Sequence, residues 1–291
     1  MLRASSIEGN RQRLDGGAMF GNAPRAVWSR WCPPDEQGRI ELSCRSLLIE
    51  GDERRVLCEV GIGAFFEPKL KERFGVVEDA HVLLDALERR GAPHTSIDVV
   101  ILSHLHFDHA GGLLTEYREG RPFELLFPNA RYVVGRAALE RAKRPHFRDR
   151  ASFIPELLPL LEASGRLVVV EEDQTEHPLL GRAFRFRRSH GHTPGMLLTE
   201  VVGERQRVLF CADLVPGAPW VHLPITMGYD RYPEQLIDEK AELFEELLTN
   251  DTTLFFTHDA DAAAARLVRD ERGRYGVRDV RSTLDAWDLD A

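Results

Sequence analysis

The sequence predicts an α/β fold of the α+β kind, with two sheets packed together and helices outside them. Three observations carry this expectation. Short β-branched runs such as IDVVILS (97–103) and TTLFFTH (252–258) have the length of buried strands. Amphipathic stretches, clearest in PEQLIDEKAELFEELLTN (233–250), have the spacing of helices that cover a sheet. The same strand-rich pattern with helices then occurs in both halves of the chain.

Taken in order, residues 1–40 contain many Gly and Pro and are weakly periodic. They are expected to form a long ordered arm packed on a single domain of residues 41–291. IELSCRSLLIE (40–50) and RRVLCEVG (54–61) read as two strands joined by the polar turn Gly51-Asp52-Glu53. EPKLKERFG (67–75) and EDAHVLLDALERRG (78–91) read as helices, each finishing at a Gly suited to a C-terminal cap. IDVVILS is a buried strand. RYVVG (131–135) reads as a strand, and RAALERAKR (136–144) and SFIPELLPLLEASG (152–165) as helices. RLVVVEE (166–172), AFRFRRS (183–189), MLLTEVVG (196–203) and RVLFCAD (207–213) are successive strands, the last two forming a hairpin. After the helix at 233–250, TTLFFTH is the final buried strand.

Composition excludes several classes of function. The chain has 291 residues, 43% of them hydrophobic and 29% charged, and a net charge of −9. It has no Lys/Arg run interleaved with aromatics, so nucleic acid is not an expected partner. Apolar runs are far too short to span a bilayer, and the N-terminus has no apolar core of a secretory signal. Four scattered cysteines form no CxxC pair and suggest no disulfide framework. A cytoplasmic protein acting on a small molecule is the expectation, and the N-terminal arm is compatible with a homodimer.

SHLHFDHAGG (103–112) places three histidines and an aspartate within six residues at the exit of a buried strand. Imidazoles and a carboxylate buried so close together are costly unless something positive holds them. Other elements end in similar residues: RVLFCA precedes Asp213, TLFFT precedes His258, and the turn SHGHTPG after AFRFRR carries His192. Five histidines (104, 106, 109, 192, 258) and two aspartates (108, 213) offer only nitrogen and oxygen donors. That set suits two divalent ions, zinc above all, with manganese, iron or cobalt as alternatives.

HLHFDHAGG, GHTPG, the strand-final Asp213 and the strand-final His258, in that order, resemble the metallo-β-lactamase-fold hydrolases. The resemblance spans roughly Leu42 to Asp259 and implies a four-layer αββα sandwich with metals at one edge of the two sheets. It implies a first ion held by His104, His106 and His192, and a second held by Asp108, His109 and His258, with Asp213 bridging both. Asp108 is also the implied proton shuttle. The presence of both His109 and Asp213 favours the lactonase, glyoxalase II and phosphotriesterase-like branches over true β-lactamases.

Within those branches HLHFDHAGG is similar to the quorum-quenching N-acyl-homoserine lactonases, and ADLVPGAPWVHLPITMGYDRYPEQLIDEK (212–240) to a segment of one lactonase branch. A lactonase is therefore expected. A phosphotriester or aryl ester hydrolase, or a catalytically relaxed metal-binding sensor, are the alternatives. Two residues depart from the family pattern: Glu59 stands where an Asp usually braces the metal loop, and Met196 replaces the last histidine of HTPGH. Phe20, Trp220 and Tyr229 are candidate substrate contacts, each reading as well as ordinary packing. Cys211 reads as a small core residue rather than a thiolate ligand, and His81 and His94 as bystanders.

Overall fold

The structure, a computed structural model, describes residues 1–51 and 54–291. Asp52 and Glu53 of the expected turn lie outside the described residues. The first half contains β1 (Arg3–Ile7), β2 (Gln12–Asp15), α1 (Gly16–Phe20), α2 (Arg25–Trp28), β3 (Arg39–Leu42), β4 (Ser46–Glu50), β5 (Arg55–Cys58), α3 (Pro68–Arg73) and α4 (Val82–Arg89). It continues with β6 (Val99–Leu102), α5 (Phe107–Ala110), β7 (Arg131–Gly135), α6 (Arg136–Lys143), α7 (Leu157–Ala163) and β8 (Leu167–Val170). The second half runs through β9 (Phe184–Ser189), β10 (Met196–Val202), β11 (Arg207–Phe210), α8 (Pro233–Asn250), β12 (Thr253–Phe255), β13 (Ala264–Arg269), β14 (Tyr275–Arg281) and β15 (Trp287–Asp288).

One sheet has the order β15-β1-β4-β5-β6-β7-β8 and the other β14-β13-β12-β11-β10-β9, with β2 and β3 as a separate ribbon. Side-chain alternation builds the layers. On β6, Val99 and Ile101 join the core between the sheets, while Val100 and Leu102 join the core beneath α4 and α7. The β5–β8 stretch is parallel and buried on both faces, which is why its strands read as unbroken apolar runs. On the opposite side, α8 lays Leu236, Leu243, Phe244 and Leu247 onto the second sheet. The result is the expected four-layer αββα sandwich.

Three expectations need correction. The first forty residues are not an arm: β1 is an internal strand of the first sheet, between β15 and β4. RASSI offers too few apolar residues to announce itself, and its pairing with β4 joins segments about forty residues apart. The stretch 40–50 is two strands, because the chain bends at Ser43–Arg45 to pass from the ribbon into the sheet. TTLFFTH is not the last strand, since β13 and β14 extend the second sheet and β15 closes on β1. Their exposed faces are rich in arginine, which weakens the apolar alternation that reveals a strand.

Two contacts tie the sheets together at the end where β6, β11 and β12 finish. Leu197 N donates to Ser103 O at 2.9 Å. The buried Arg45 guanidinium donates to the carbonyls of Phe256, Asp259 and Ala262 at 3.1, 2.9 and 3.2 Å, clamping the bend after β3 to the loop after β12. No helix among the described residues is long and apolar enough to cross a membrane.

The C-terminus closes the sandwich at the other end. Leu289 is fully buried, its N–H donates to Leu2 O, and its carbonyl accepts from Arg205 and Gln206. Leu289→Ala should lower stability by about 2–5 kcal/mol in urea unfolding and leave metal content unchanged. An unaltered midpoint would show that this tail does not hold the two sheets together.

Candidate metal centre

Each candidate ligand stands where a central strand runs out. His104 follows β6 by two residues. The chain then stays extended through His106 and turns into α5, whose four residues present Asp108 and His109. Gly112 shows why the motif ends in glycine: a Cβ there would lie 2.0 Å from Val60 O. The histidine loop can sit against the strand-end loop at Val60 only without a side chain. Asp213 follows β11, His258 follows β12, and His192 occupies the turn between β9 and β10.

These seven side chains converge. His106 Nδ1 lies 2.9 Å from His104 Nε2 and 3.3 Å from His192 Nε2. His109 Nε2 and His258 Nε2 are 3.2 Å apart, and each lies 3.7 Å from a different oxygen of Asp108. Asp213 stands between the groups. Its Oδ2 is 3.1 Å from His192 Nε2 and 3.3 Å from His109 Nε2, and its Oδ1 is 3.3 Å from His258 Nε2. Two clusters of ligand-type atoms, His104–His106–His192 and Asp108–His109–His258, therefore share one carboxylate.

The far nitrogens of four rings are tied back. His258 Nδ1 donates to Ser43 O at 2.7 Å, and His192 Nδ1 meets Asp230 Oδ1 at 2.8 Å. His109 Nδ1 meets Glu59 Oε2 at 2.8 Å, and His104 Nδ1 meets Ser103 Oγ at 2.9 Å. Ser103 Oγ in turn donates to Glu59 Oε1. A carbonyl or carboxylate behind a ring fixes the proton on Nδ1 and leaves Nε2 facing inward, the arrangement metal-binding histidines use. Glu59 also belongs to a third cluster with His104 and His109, but its oxygens engage the backs of those rings, so it acts as a brace.

Electrostatics show what the cluster lacks. Burial and the neighbouring imidazoles press His104 and His106 well below the usual histidine range. Burial pulls His109 and His258 down too, but Glu59 and Asp213 outweigh it for the first, and Asp213 for the second, leaving both well above that range. Burial alone would raise Asp213, yet His109, His192 and His258 hold it well below the ordinary carboxylate value. Asp213 Oδ1 and His106 Nε2 have no hydrogen-bond partner among the described residues. Glu59, Asp213 and the partly buried Asp108 stand among five imidazoles, a set that holds positive charge either as protons or as metal ions. Nitrogen and oxygen donors at this spacing fit divalent ions of the zinc, manganese, iron or cobalt kind.

Residues 39–258 match the family described as the metallo-β-lactamase superfamily. The chain belongs to that superfamily. Its fold binds divalent metal ions, typically two, and its members are metal-dependent hydrolases. A probable metal-dependent hydrolase from Staphylococcus aureus is 25% identical with a TM-score of 0.84, covering 96% of this chain and 97% of the other. A dizinc quorum-quenching lactonase in complex with a product has 18% identity and a TM-score of 0.71, covering 95% and 94%. An N-acyl homoserine lactone hydrolase, solved with N-hexanoyl-L-homoserine at its catalytic metal centre, has 22% identity and a TM-score of 0.64, covering 89% and 93%.

The structure brings together all seven residues singled out as metal ligands and separates the three expected substrate contacts. Phe20 is fully buried, stacked on Trp220 at 4.5 Å and on Trp28 at 5.6 Å, and Trp220 donates its indole N–H to Met19 O. Phe20 is a core residue, a correction that follows from apolar rings finding one another rather than solvent, whereas Trp220, also buried, lines with His222 and the candidate ligand His258 a cavity of about 560 Å³. Tyr229 is exposed on the surface, and partial burial, then the charges of Asp108 and Asp15, raise its phenol pKa. Met196 is a core residue, as is Cys211, whose thiol burial pushes up.

Sequence reasoning missed Asp230, the brace of His192, although it lies in the YDRYP turn already singled out. The Ser43 carbonyl behind His258 is a backbone atom and carries no sequence signal.

Metal loading at this centre competes with protons on His109 and His258, whose protonated forms the surrounding carboxylates favour. Zinc titration of the metal-free protein near pH 6.5 should therefore release at least one proton per chain, and affinity should rise with pH. Calorimetry in buffers of different ionisation enthalpy reads this directly. Heats independent of the buffer would count against it.

Proposed function

We propose that the protein is a dinuclear-metal hydrolase that opens small lactones, N-acyl-homoserine lactones or close analogues. The observation that carries this reading is an aromatic groove beside the centre, a cavity of about 460 Å³ walled by Phe66, Phe74, Phe107, Phe123 and Phe153. Phe107 stands between His106 and Asp108 in the motif itself. The Phe153 ring lies 4.9 Å from that of His106. An apolar slot beside a polar centre suits an acyl chain joined to a carbonyl. Of the contacts the sequence suggested, Phe20 packs into the core, as do Ile225 and Met227 of the 212–240 segment. The product-bound lactonase of similar fold supports the same reading.

His104, His106 and His192 would hold one ion and Asp108, His109 and His258 the other, with Asp213 within reach of both. The chemistry that divalent ions would supply there is Lewis acidity toward a carbonyl oxygen and a bound water. The protein's own groups do the rest. The groove walls exclude water from the acyl chain and orient the ring. Asp108, whose side chain at 15% exposure is the most accessible of the seven, handles the proton. Asp108 takes a proton from the attacking water as its oxygen bonds to the carbonyl carbon, the ring C–O bond breaks, and Asp108 passes that proton to the departing alkoxide. Tyr229, with its phenol pKa raised, stays protonated and donates a hydrogen bond to the substrate.

Aromatic walls favour one second reading, an aryl ester or aryl phosphotriester stacked in the same groove.

Asp213→Ala should abolish hydrolysis and leave the protein folded by circular dichroism, whereas His94→Ala should keep near wild-type rates. Equal losses would undo the separation of ligand from bystander. Across acyl-homoserine lactones of increasing chain length, kcat/KM should rise by up to ~0.8 kcal/mol per buried methylene. Phe66→Ala should flatten that slope. A flat wild-type series, or faster turnover of a phosphotriester, would favour the second reading.

A further inference from the structure

The longest helix carries two charged residues that the chemistry above does not use. Glu239 and Lys240 are consecutive on α8, and consecutive helical side chains point about 100° apart, so the pair faces two different neighbours. Glu239 collects the donors of the turn before His192. Its Oε2 accepts from Ser189 Oγ at 2.6 Å and from Gly191 N at 3.2 Å, and its Oε1 accepts from His190 N at 2.9 Å. Lys240 collects acceptors from the loop that leads to Asp230. Its Nζ donates to the carbonyls of His222, Leu223 and Ile225 at 3.2, 3.2 and 2.9 Å.

Packing alone does not ask for these charges. Lys240 is 0% exposed and lies on the face that buries Leu236, Leu243, Phe244 and Leu247, where an apolar residue of similar length would fit. A fully desolvated ammonium is costly unless oxygens surround it, and three carbonyls do. Burial pulls its pKa down to about 7, while the charge of Asp230 pulls it back up. The helix also presses directly on the turn: a Cβ at Gly191 would lie 2.4 Å from Leu236 Cβ. Both segments that the pair grips end at the same ring. One delivers His192, and the other delivers Asp230, whose Oδ1 meets His192 Nδ1 while its Oδ2 accepts from Met227 N at 2.6 Å.

We propose that Glu239 and Lys240 are positioning residues that set the orientation of His192, one through its own turn and the other through its brace. The proposal rests on the reading that His192 holds the first ion. Charge-assisted bonds from one rigid helix hold the ring and its carboxylate in one mutual geometry. Loss of either bond set frees one partner to rotate, and the ion held by His104, His106 and His192 then binds more weakly. The Asp108–His109–His258 cluster has no contact with the pair and keeps its affinity.

The test is cobalt(II) titration of the metal-free full-length chain, followed by visible absorption, in wild type, Lys240→Met, Glu239→Gln and the control Leu243→Ala. Wild type should take up two ions. Lys240→Met and Glu239→Gln should weaken one of the two steps by roughly 10- to 100-fold and alter its absorption band, leaving the other step unchanged. Leu243→Ala, a cavity on the same helix face, should lower Tm without moving either step. Wild-type titrations from both charged-residue variants would overturn the proposal, and so would an equal weakening in Leu243→Ala. If Lys240→Met does not fold, Glu239→Gln decides alone. A wild type that binds no cobalt would instead overturn the metal reading on which the proposal stands.

Discussion

Everything at the working edge of this protein depends on the concentration of negative charge in a place with little water. Asp213, Glu59 and Asp108 lie among five imidazoles where two sheets meet, and Asp213 touches histidines of both clusters. A carboxylate so placed raises the proton affinity of every imidazole around it, so the cluster holds either protons or metal cations. The choice of ligands follows. Neutral imidazole and carboxylate bind divalent ions well, and the sheet scaffold supplies the rigidity that keeps them near productive geometry.

That rigidity is built largely from backbone and from residues behind the ligands. The Arg45 guanidinium joins the bend after β3 to the loop after β12, which places the Ser43 carbonyl behind His258. Glu59 reaches two rings assigned to different ions, His109 directly and His104 through Ser103. The longer glutamate, in place of the Asp usual at this position, allows both contacts. Its backbone adopts a left-handed conformation at φ 61°, which costs on the order of 1 kcal/mol or more for a non-glycine residue. Strain of this kind persists where the surroundings over-determine the residue, and a carboxylate with three hydrogen-bonding neighbours, Thr257 being the third, is such a place.

Around this centre the protein divides its surface by chemistry. The side bounded by α3, α5 and the segment near Phe153 is aromatic, whereas the loop after β11 exposes the hydroxyl-bearing Tyr229. A substrate that lies across the centre thus meets an apolar wall on one hand and hydrogen-bonding groups on the other. The two walls come from opposite sheets, so their separation is set by how the sandwich closes.

Much of this was legible in the chain itself. Periodicity marks α8 with its observed bounds, and the apolar runs mark β6, β7 and β12 because burial on both faces leaves no polar interruption. The HLHFDH run, the GHTPG turn and the strand-final Asp213 and His258 name the candidate ligands, and the fold brings all seven of them together. What the tertiary structure decided is everything that depends on distance between segments remote in sequence. That includes the place of β1 inside a sheet, the closure of β15 upon it, Asp230 and Ser43 behind their histidines, and the aromatic groove. Phe20 reads in sequence as fit for a pocket, yet it stacks in the core on Trp220 and Trp28, while Phe66 and Phe153 line the groove. Only folding separates them, because an aromatic ring carries the same apolar surface wherever it lies, and its neighbours determine whether that surface meets the core or a substrate.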